Sequence, residues 1–279
     1  IQSLPNLKKR MLTSATDAVE IPAFVGLKNP VEINFLTGEK SPALAVQMVR
    51  SADADKFSTL FSLICTLGNR STIIFCNQRE IVEQVSNFLK DKSIVNVFYH
   101  GAMEQQERDV ALCKFRNGSS NVLVTTDLAA RGLDIPNIRY IVHFQLPTSQ
   151  ESFIHRNGRT ARMEASGTAI LLLAPQETVP GYIDPEPIEI ELNADAGLPA
   201  KPDWSTFYIS VGKKDKVNKI DIVGFLTNKG RLKKEEIGLI EVKDFFSFVA
   251  IRKSKAGPTL QLIKEERIKN KKVKIEVAK

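Results

Sequence analysis

The middle of the chain alternates short β-branched apolar runs with stretches of helical periodicity. The runs fall at 72–76, 95–100, 121–126, 140–144 and 168–173, and helical patterns over 79–90 and 104–115 stand between the first three. Strands separated by helices imply right-handed crossovers and a buried, mostly parallel sheet. Asn117 and Gly118 follow the second helical pattern where a left-handed cap belongs. In an open sheet of this kind ligands sit outside the carboxyl ends of the strands. Chemistry is therefore to be sought in the residues just after each run. A different order follows near the end of the chain: strand 207–211, helix 219–227, strands 239–242 and 246–251, helix 258–265 and strand 273–278.

The two patterns are separated by a break in composition. Residues 176–203 hold five of the 13 prolines and seven acidic residues beside a single basic one, Lys201. Proline fixes φ and withholds a backbone donor, which argues against a long helix or central strand there. An extended linker is expected, with 188–192 a short strand within it. A weaker break lies around 37–42. The expected organisation is a leading piece at 1–42, a main domain at 43–175, a Pro-rich acidic linker at 176–203 and a small domain at 204–279.

Composition narrows the class. At 279 residues, 43% hydrophobic and 25% charged, the chain can bury two modest cores. It has no apolar run of the ~18 to 20 residues that a spanning helix needs, and its first residues lack a signal layout. The expectation is a cytoplasmic protein with no membrane partner. Cys65, Cys76 and Cys113 match no metal or redox spacing, so buried free thiols and no metal site are expected. The formal charge of +7 is unevenly placed: residues 204–279 hold 19 Lys and Arg against 9 Asp and Glu, leaving the rest of the chain at −3. A basic appendage of that kind suits a polyanion.

Two strand-end segments carry candidate chemistry. Residues 125–136, TTDLAARGLDIP, put a hydroxyl, charges and a glycine into one loop. Thr126 and backbone amides can donate to phosphate, Arg131 can pair one, and Gly132 admits close approach. A salt-bridged turn is the other reading of the same residues. Residues 155–162, HRNGRTAR, place three arginines within seven residues, which repel unless anions sit among them. Arg159 and Arg162 are three apart and can share a helical face; a solvated basic turn is the alternative. Taken with 72–77, with His100-Gly101, Gln105 and Arg108, and with the strand 167–173, these strings resemble the second RecA-like lobe of DEAD-box RNA helicases. Ser14-Ala15-Thr16 is similar to the motif that closes the first lobe in that family.

The resemblance implies ATP and Mg2+ as cofactors, with the magnesium ligands on a first lobe. It assigns RNA backbone contacts to Asn77, Gln105, Arg108, Thr126, Arg131 and Gly132, nucleotide placement to Asp134, and γ-phosphate fingers to Arg159 and Arg162. Coupling between lobes falls to Ser14, Thr16, His155 and Arg156. For Arg108 the residues also allow an ion pair with Glu104. The sequence departs from the family pattern at Asn157, Ala161 and Met163. It contains neither a G-x-x-x-x-G-K-[ST] loop nor an Asp-Glu-x-Asp string, so the expectation is a fragment that begins inside a first lobe, with 10–13 and 31–36 as strands of its incomplete sheet.

Residues 204–279, with GKKDK at 212–216, resemble the C-terminal domain of the DbpA-type helicases. The fold class expected is thus α/β, a RecA-like parallel sheet domain followed by a small α+β, RRM-like βαββαβ domain. Phe246 and Phe248 alternate onto one strand face, as base-stacking aromatics do, while Val249 and Ile251 point into the core. A covered sheet is also compatible with two such rings, and Asp244 stands where a sheet face for RNA usually carries Lys or Arg. Lys213, Lys214 and Lys216 are placed to clamp phosphates, with Lys219, Arg252 and Lys253 widening the patch; a solubilising rim is the alternative. The partners implied are structured RNA, in particular 23S-type ribosomal RNA and the pre-ribosomal large subunit. A non-enzymatic RNA-binding protein is the rival reading, and a DNA helicase fits less well.

Overall fold

The computed structural model of the chain describes residues 9–12, 21, 23–27, 29–33, 44–130, 135, 138–158 and 167–278. Residues 1–41 and 42–279 are separate compact units. In the first, a 3-10 turn spans Ala23–Val25, and Arg10 donates through Nη1 to the carbonyls of Val25 and Gly26 at 2.5 Å. The strands expected at 10–13 and 31–36 are not found at their described residues, 10–12 and 31–33. Those two carbonyls are met by a guanidinium, the kind of side-chain pairing a backbone accepts where no ladder forms.

The second unit begins with a seven-stranded sheet. Its strands are β1 (Ala45–Arg50), β2 (Thr72–Cys76), β3 (Asn96–Tyr99), β4 (Val122–Thr126), β5 (Tyr140–His143), β6 (Thr168–Leu173) and β7 (Ile188–Glu189), in the order β3-β4-β2-β5-β6-β1-β7. Every pairing is parallel. Helices α1 (Phe57–Leu67), α2 (Arg79–Asp91), α3 (Gln105–Arg116), α4 (Asp127–Ala130) and α5 (Gln150–Asn157) belong to this layer. All residues of β2 and β6 are buried, as strands covered on both faces require. One core packs Leu60, Ile74, Val85, Val124 and Ile170, and another packs Phe75, Leu112, Leu123 and Ile141.

The segment read as a linker is part of this domain. β7 pairs with β1 through Gln47 and Ile188, the Ile190 amide donates to Met48 O, and Ile183 is buried with Met48, Leu171 and Leu173. Proline removes ladder donors, which an edge strand tolerates and a central one does not; β7 is an edge strand directly after Pro187. Lys56, itself buried, donates to Leu172 O at 3.1 Å and pairs with Glu177 at 2.8 Å, fixing the start of the segment.

The C-terminal domain contains β8 (Trp204–Ile209), α6 (Lys219–Asn228), β9 (Ile237–Val242), β10 (Ser247–Arg252), α7 (Lys253–Ile263), a short hairpin of β11 (Arg267–Ile268) and β12 (Lys271–Lys272), and β13 (Ile275–Val277). The antiparallel sheet runs β13-β8-β10-β9. Phe207, Ile209, Val249 and Ile251 form its core with Ile222, Leu226 and Ile263 of the helices. Asn218 and Asp221 cap α6 reciprocally. Among the described residues no helix is long and apolar enough to cross a membrane.

The opposite face of this sheet is also apolar, and it docks on α3. Phe248 is fully buried with Cys113 and Ala278, and Val110, Tyr208 and Phe246 pack around them. Asn117 Nδ2 donates to Thr206 Oγ1 at 2.8 Å, and Thr206 donates onward to Ser119 Oγ at 2.9 Å. Arg116 pairs with Glu241 and Lys243 with Asp109, each at 3.4 Å. At Gly118, φ of +75° gives the expected left-handed turn, and a Cβ there would lie 3.4 Å from the Trp204 ring. Burial pushes the Cys113 thiol up to about 12. Replacing Phe248 by Ala empties the centre of this joint. Unfolding in urea should become easier by about 3–5 kcal/mol, and Cys113 should react faster with an aqueous thiol reagent. Unchanged stability together with an unreactive Cys113 would rule out the joint.

Candidate functional site

The carboxyl ends of β2, β4 and β5 converge on one buried guanidinium. Ser149 caps α5 by accepting from the Ser152 amide, and the helix carries Arg156, 1% exposed, in its last turn. Arg156 donates through Nε and Nη2 to both carboxylate oxygens of Asp127, at 2.5 and 2.9 Å. Its Nη2 also donates to Asn77 Oδ1 at 2.7 Å and its Nη1 to Gln145 O at 2.7 Å. The guanidinium carbon lies 5.2 Å from the centre of the Phe75 ring. An arginine buried this deeply is tolerated because its fork finds acceptors all round, including a two-pronged carboxylate.

His143 completes the arrangement. Burial, then the charge of Arg156, holds its imidazole down at about 3, against the upward pull of Asn157. The ring is therefore neutral. Its Nδ1 faces Arg156 Nη1 at 3.4 Å and accepts, so Nε2 carries the proton and donates to Asn157 Oδ1 at 3.1 Å. That bond explains the departure at Asn157: a polar residue is buried there because a neutral histidine donates to it.

The structure sorts the expected site residues. Arg156, expected beside a cleft between lobes, is an internal tie between strand ends, because Asp127, Asn77 and Gln145 use its donors. Asn77 is surface-exposed, yet its Oδ1 accepts from Arg156 and its Nδ2 donates to Leu146 O. Thr126 ends β4 beside Asp127 and is half-buried. His155 is 37% exposed and paired with Glu151 at 3.2 Å. Gln105 is exposed in the first turn of α3, and Arg108, one turn on, has a buried Nε with no partner among the described residues. Glu104 does not pair with it; it caps α3 together with Glu107. Ser14, Thr16, Arg131, Gly132, Asp134, Arg159 and Arg162, with Ala161 and Met163, lie outside the described residues.

In the C-terminal domain, Lys213, Lys214, Lys216 and Lys219 are exposed and make no ion pair among the described residues. Lys213 and Lys214 belong to a 3-10 turn at the end of β8. This turn is held by backbone bonds from Lys213 and Lys214 to the carbonyls of Lys243 and Asp244. Arg252 and Lys253 do not widen the patch. The register sets Arg252 opposite Trp204 and Ser247 opposite Ile209, so these two residues lie at the far end of β8. Arg252 is stacked 4.4 Å over Trp204 and paired with Asp203. Phe248, with no exposed surface, offers nothing for a base to stack on in this arrangement, and Phe246 is half-buried beside it. Phe245, which the strand pattern passes over, is 69% exposed.

Comparison with known proteins follows this division. Residues 55–164 match the family described as helicase conserved C-terminal domain, and residues 206–277 match the DbpA RNA binding domain. The ATP-dependent RNA helicase DbpA of Escherichia coli is 32% identical over the whole chain, which covers 63% of that relative. For the Bacillus subtilis protein of the same name the identity is 30% and the cover 64%. The chain thus spans a little under two thirds of the length of these relatives. In a crystal structure, the E. coli DEAD-box protein SrmB bound to regulator of ribonuclease activity A is similar at a TM-score of 0.50 and 33% identity, over 57% of this chain and 98% of that one.

The buried histidine sets a pH dependence. Its folded value of about 3 lies below the ordinary 6.5, so the unfolded chain takes up the proton first and stability falls as pH drops from 6.5 towards 3. Between pH 7.5 and pH 5 the loss from this residue should be about 2 kcal/mol. Urea unfolding at the two pH values should show it, and His143→Gln should remove it; an identical pH slope in that variant would refute the assignment. Arg156→Ala should cost about 3–5 kcal/mol, because it strands Asp127.

Proposed function

We propose that the chain, as a DbpA-type DEAD-box RNA helicase, supplies the second RecA-like lobe and the RNA-anchoring domain of an ATP-dependent enzyme acting on structured RNA. Ribosomal RNA of the large subunit is the target class the family suggests. The observation that carries this reading is the group of exposed lysines, Lys213, Lys214, Lys216 and Lys219, without an ion pair among the described residues, on a domain docked against the helix that bears Gln105 and Arg108.

In this reading phosphates of the RNA meet Gln105, Arg108, Thr126, Arg131 and Gly132 on the lobe. Arg159 and Arg162 follow α5 and act as fingers on the γ-phosphate, with Asp134 placing the nucleotide. Phosphoryl transfer depends mainly on positioning and on neutralising developing charge, and such a finger contributes about 10³–10⁵ in rate. The role of Arg156 is to fix α5, which precedes the fingers in sequence, to the same strand ends that meet RNA. Ser14, Thr16 and His155 couple the lobes. Magnesium supplies charge neutralisation at the phosphates, and among the described residues no group of three or more His, Cys, Asp or Glu side chains could hold it. RNA that favours lobe closure then favours hydrolysis.

Residues 1–279 contain neither phosphate-cradle nor Asp-Glu-x-Asp motifs, so purified 1–279 should hydrolyse no ATP above background; RNA-stimulated turnover would overturn this. The anchoring role is tested by Lys213→Ala with Lys214→Ala. Losing two phosphate contacts should lower the slope of log affinity against log salt by about 1.4 to 1.8. An unchanged slope in filter-binding titrations would refute the clamp.

A further inference from the structure

We propose that docking on α3 joins the lobe and the C-terminal domain into one continuous track for single-stranded RNA, which runs from Gln105 and Arg108 to a base-stacking platform at Phe245. The proposal rests on the RNA-binding reading above and specifies where that RNA lies.

Direction along the joint comes first. β8 runs antiparallel to α3. Trp204 lies against Gly118 and Thr206 bonds to Asn117 and Ser119, past the helix end, whereas Tyr208 packs in the cluster that contains Val110 and Cys113. The chain beyond Ile209 therefore heads towards the first turn of α3, and the lysine turn Lys213–Asp215 comes next. The ion pair of Lys243 with Asp109 marks the same end of the joint. Gln105 precedes Asp109 by four residues, so the two share one helix face as neighbours. Arg108 is beside them, with a buried Nε that has no partner among the described residues.

The tip reached in this way is a built surface. A Cβ on Gly212 would lie 2.3 Å from Lys243 O and 2.6 Å from Asp244 O, so the β9–β10 turn rests directly on backbone. Lys213 and Lys214 donate amides to those two carbonyls. Phe245 stands exposed on that turn while its neighbours Phe246 and Phe248 are taken up by the joint. Asp244 is exposed and makes no ion pair among the described residues; its carboxylate repels phosphate. A strand is therefore oriented with its backbone on Lys213 and Lys214 and a base on Phe245. A positively charged groove combined with an aromatic ring is how sequence-tolerant single-strand sites are made.

The test uses oligouridylates of 5 and 12 nucleotides bearing 5-bromouridine, titrated against the intact chain, with Cys113 labelling as an RNA-free measure of docking. The 12-mer should bind more tightly than the 5-mer and crosslink both to Phe245 and to the peptide that contains Gln105. Phe245→Ala should weaken the 12-mer about tenfold with Cys113 still protected. Phe248→Ala, which empties the apolar centre of the joint, should expose Cys113 and remove the advantage of length. The track is refuted if Phe245→Ala leaves 12-mer affinity unchanged, or if Phe248→Ala leaves either Cys113 protected or the length dependence intact. Absence of binding to either oligonucleotide by the unaltered chain would instead remove the RNA-binding reading, and this proposal with it.

Discussion

A four-stranded sheet has two faces, and in the C-terminal domain both are apolar. Helices α6 and α7 cover one, over Phe207, Ile209, Val249 and Ile251; the other, bearing Tyr208, Phe246 and Phe248, is covered by α3 of the lobe. Burying a ring such as Phe248 stabilises by about 1.5–3 kcal/mol relative to exposure. Rim pairs such as Arg116 with Glu241 contribute at most about 1 kcal/mol each. The apolar patch therefore holds the joint, while the ion pairs and the Asn117–Thr206–Ser119 chain set its register. Because the joint consumes the sheet face, any contact with nucleic acid has to use other surfaces of the domain.

The charge distribution agrees with that conclusion. Along the hairpin side, lysines and acids neutralise one another: Lys269 with Asp221, Lys271 with Asp215, Lys272 with Glu265 and Lys274 with Glu276. Hydrogen bonds from Lys271 and Lys269 hold the Asp215 and Asp221 carboxyls below their ordinary range. The domain's excess positive charge is left on residues such as Lys213, Lys214, Lys216 and Lys219. A basic composition thus becomes a basic place, because most acids of the domain are already spent elsewhere.

The parallel sheet was legible because β2 and β6 are uninterrupted apolar runs and because Asn117-Gly118 marks the end of α3. β1 went unread: Gln47 and Arg50 break its apolar pattern, and what makes it a strand is pairing with β6 and β7, over a hundred residues away. The acidic segment looked like a spacer because its prolines are visible locally, whereas its anchoring through Ile183 and Lys56 is not. The start of α7 was placed at Pro258, yet the helix begins at Lys253 and contains that proline. The alternation of Phe246 and Phe248 was readable, but alternation gives a face and says nothing of what lies against it. Only the register, in which Phe248 stands opposite Tyr208, and the cluster around Cys113 decide that.

The two buried devices of this unit act on one another through α3 and the sheet. Arg156 locks the ends of β2, β4 and β5, and α3 leads into β4 through the same turn that receives Trp204 and Thr206. Both are built on groups that cannot leave without exposing an uncompensated partner: Asp127 and the neutral His143 in one case, Asn117 and the ring of Phe248 in the other. Such elements resist small displacements, since packed interiors deform little. The C-terminal domain is therefore held to α3 by a packed core as well as by the connecting chain. The anchoring of the 176–203 segment through Glu177, Ile183 and the two-residue edge strand β7 points the same way, because it adds ties between the segment and the lobe that a free linker lacks.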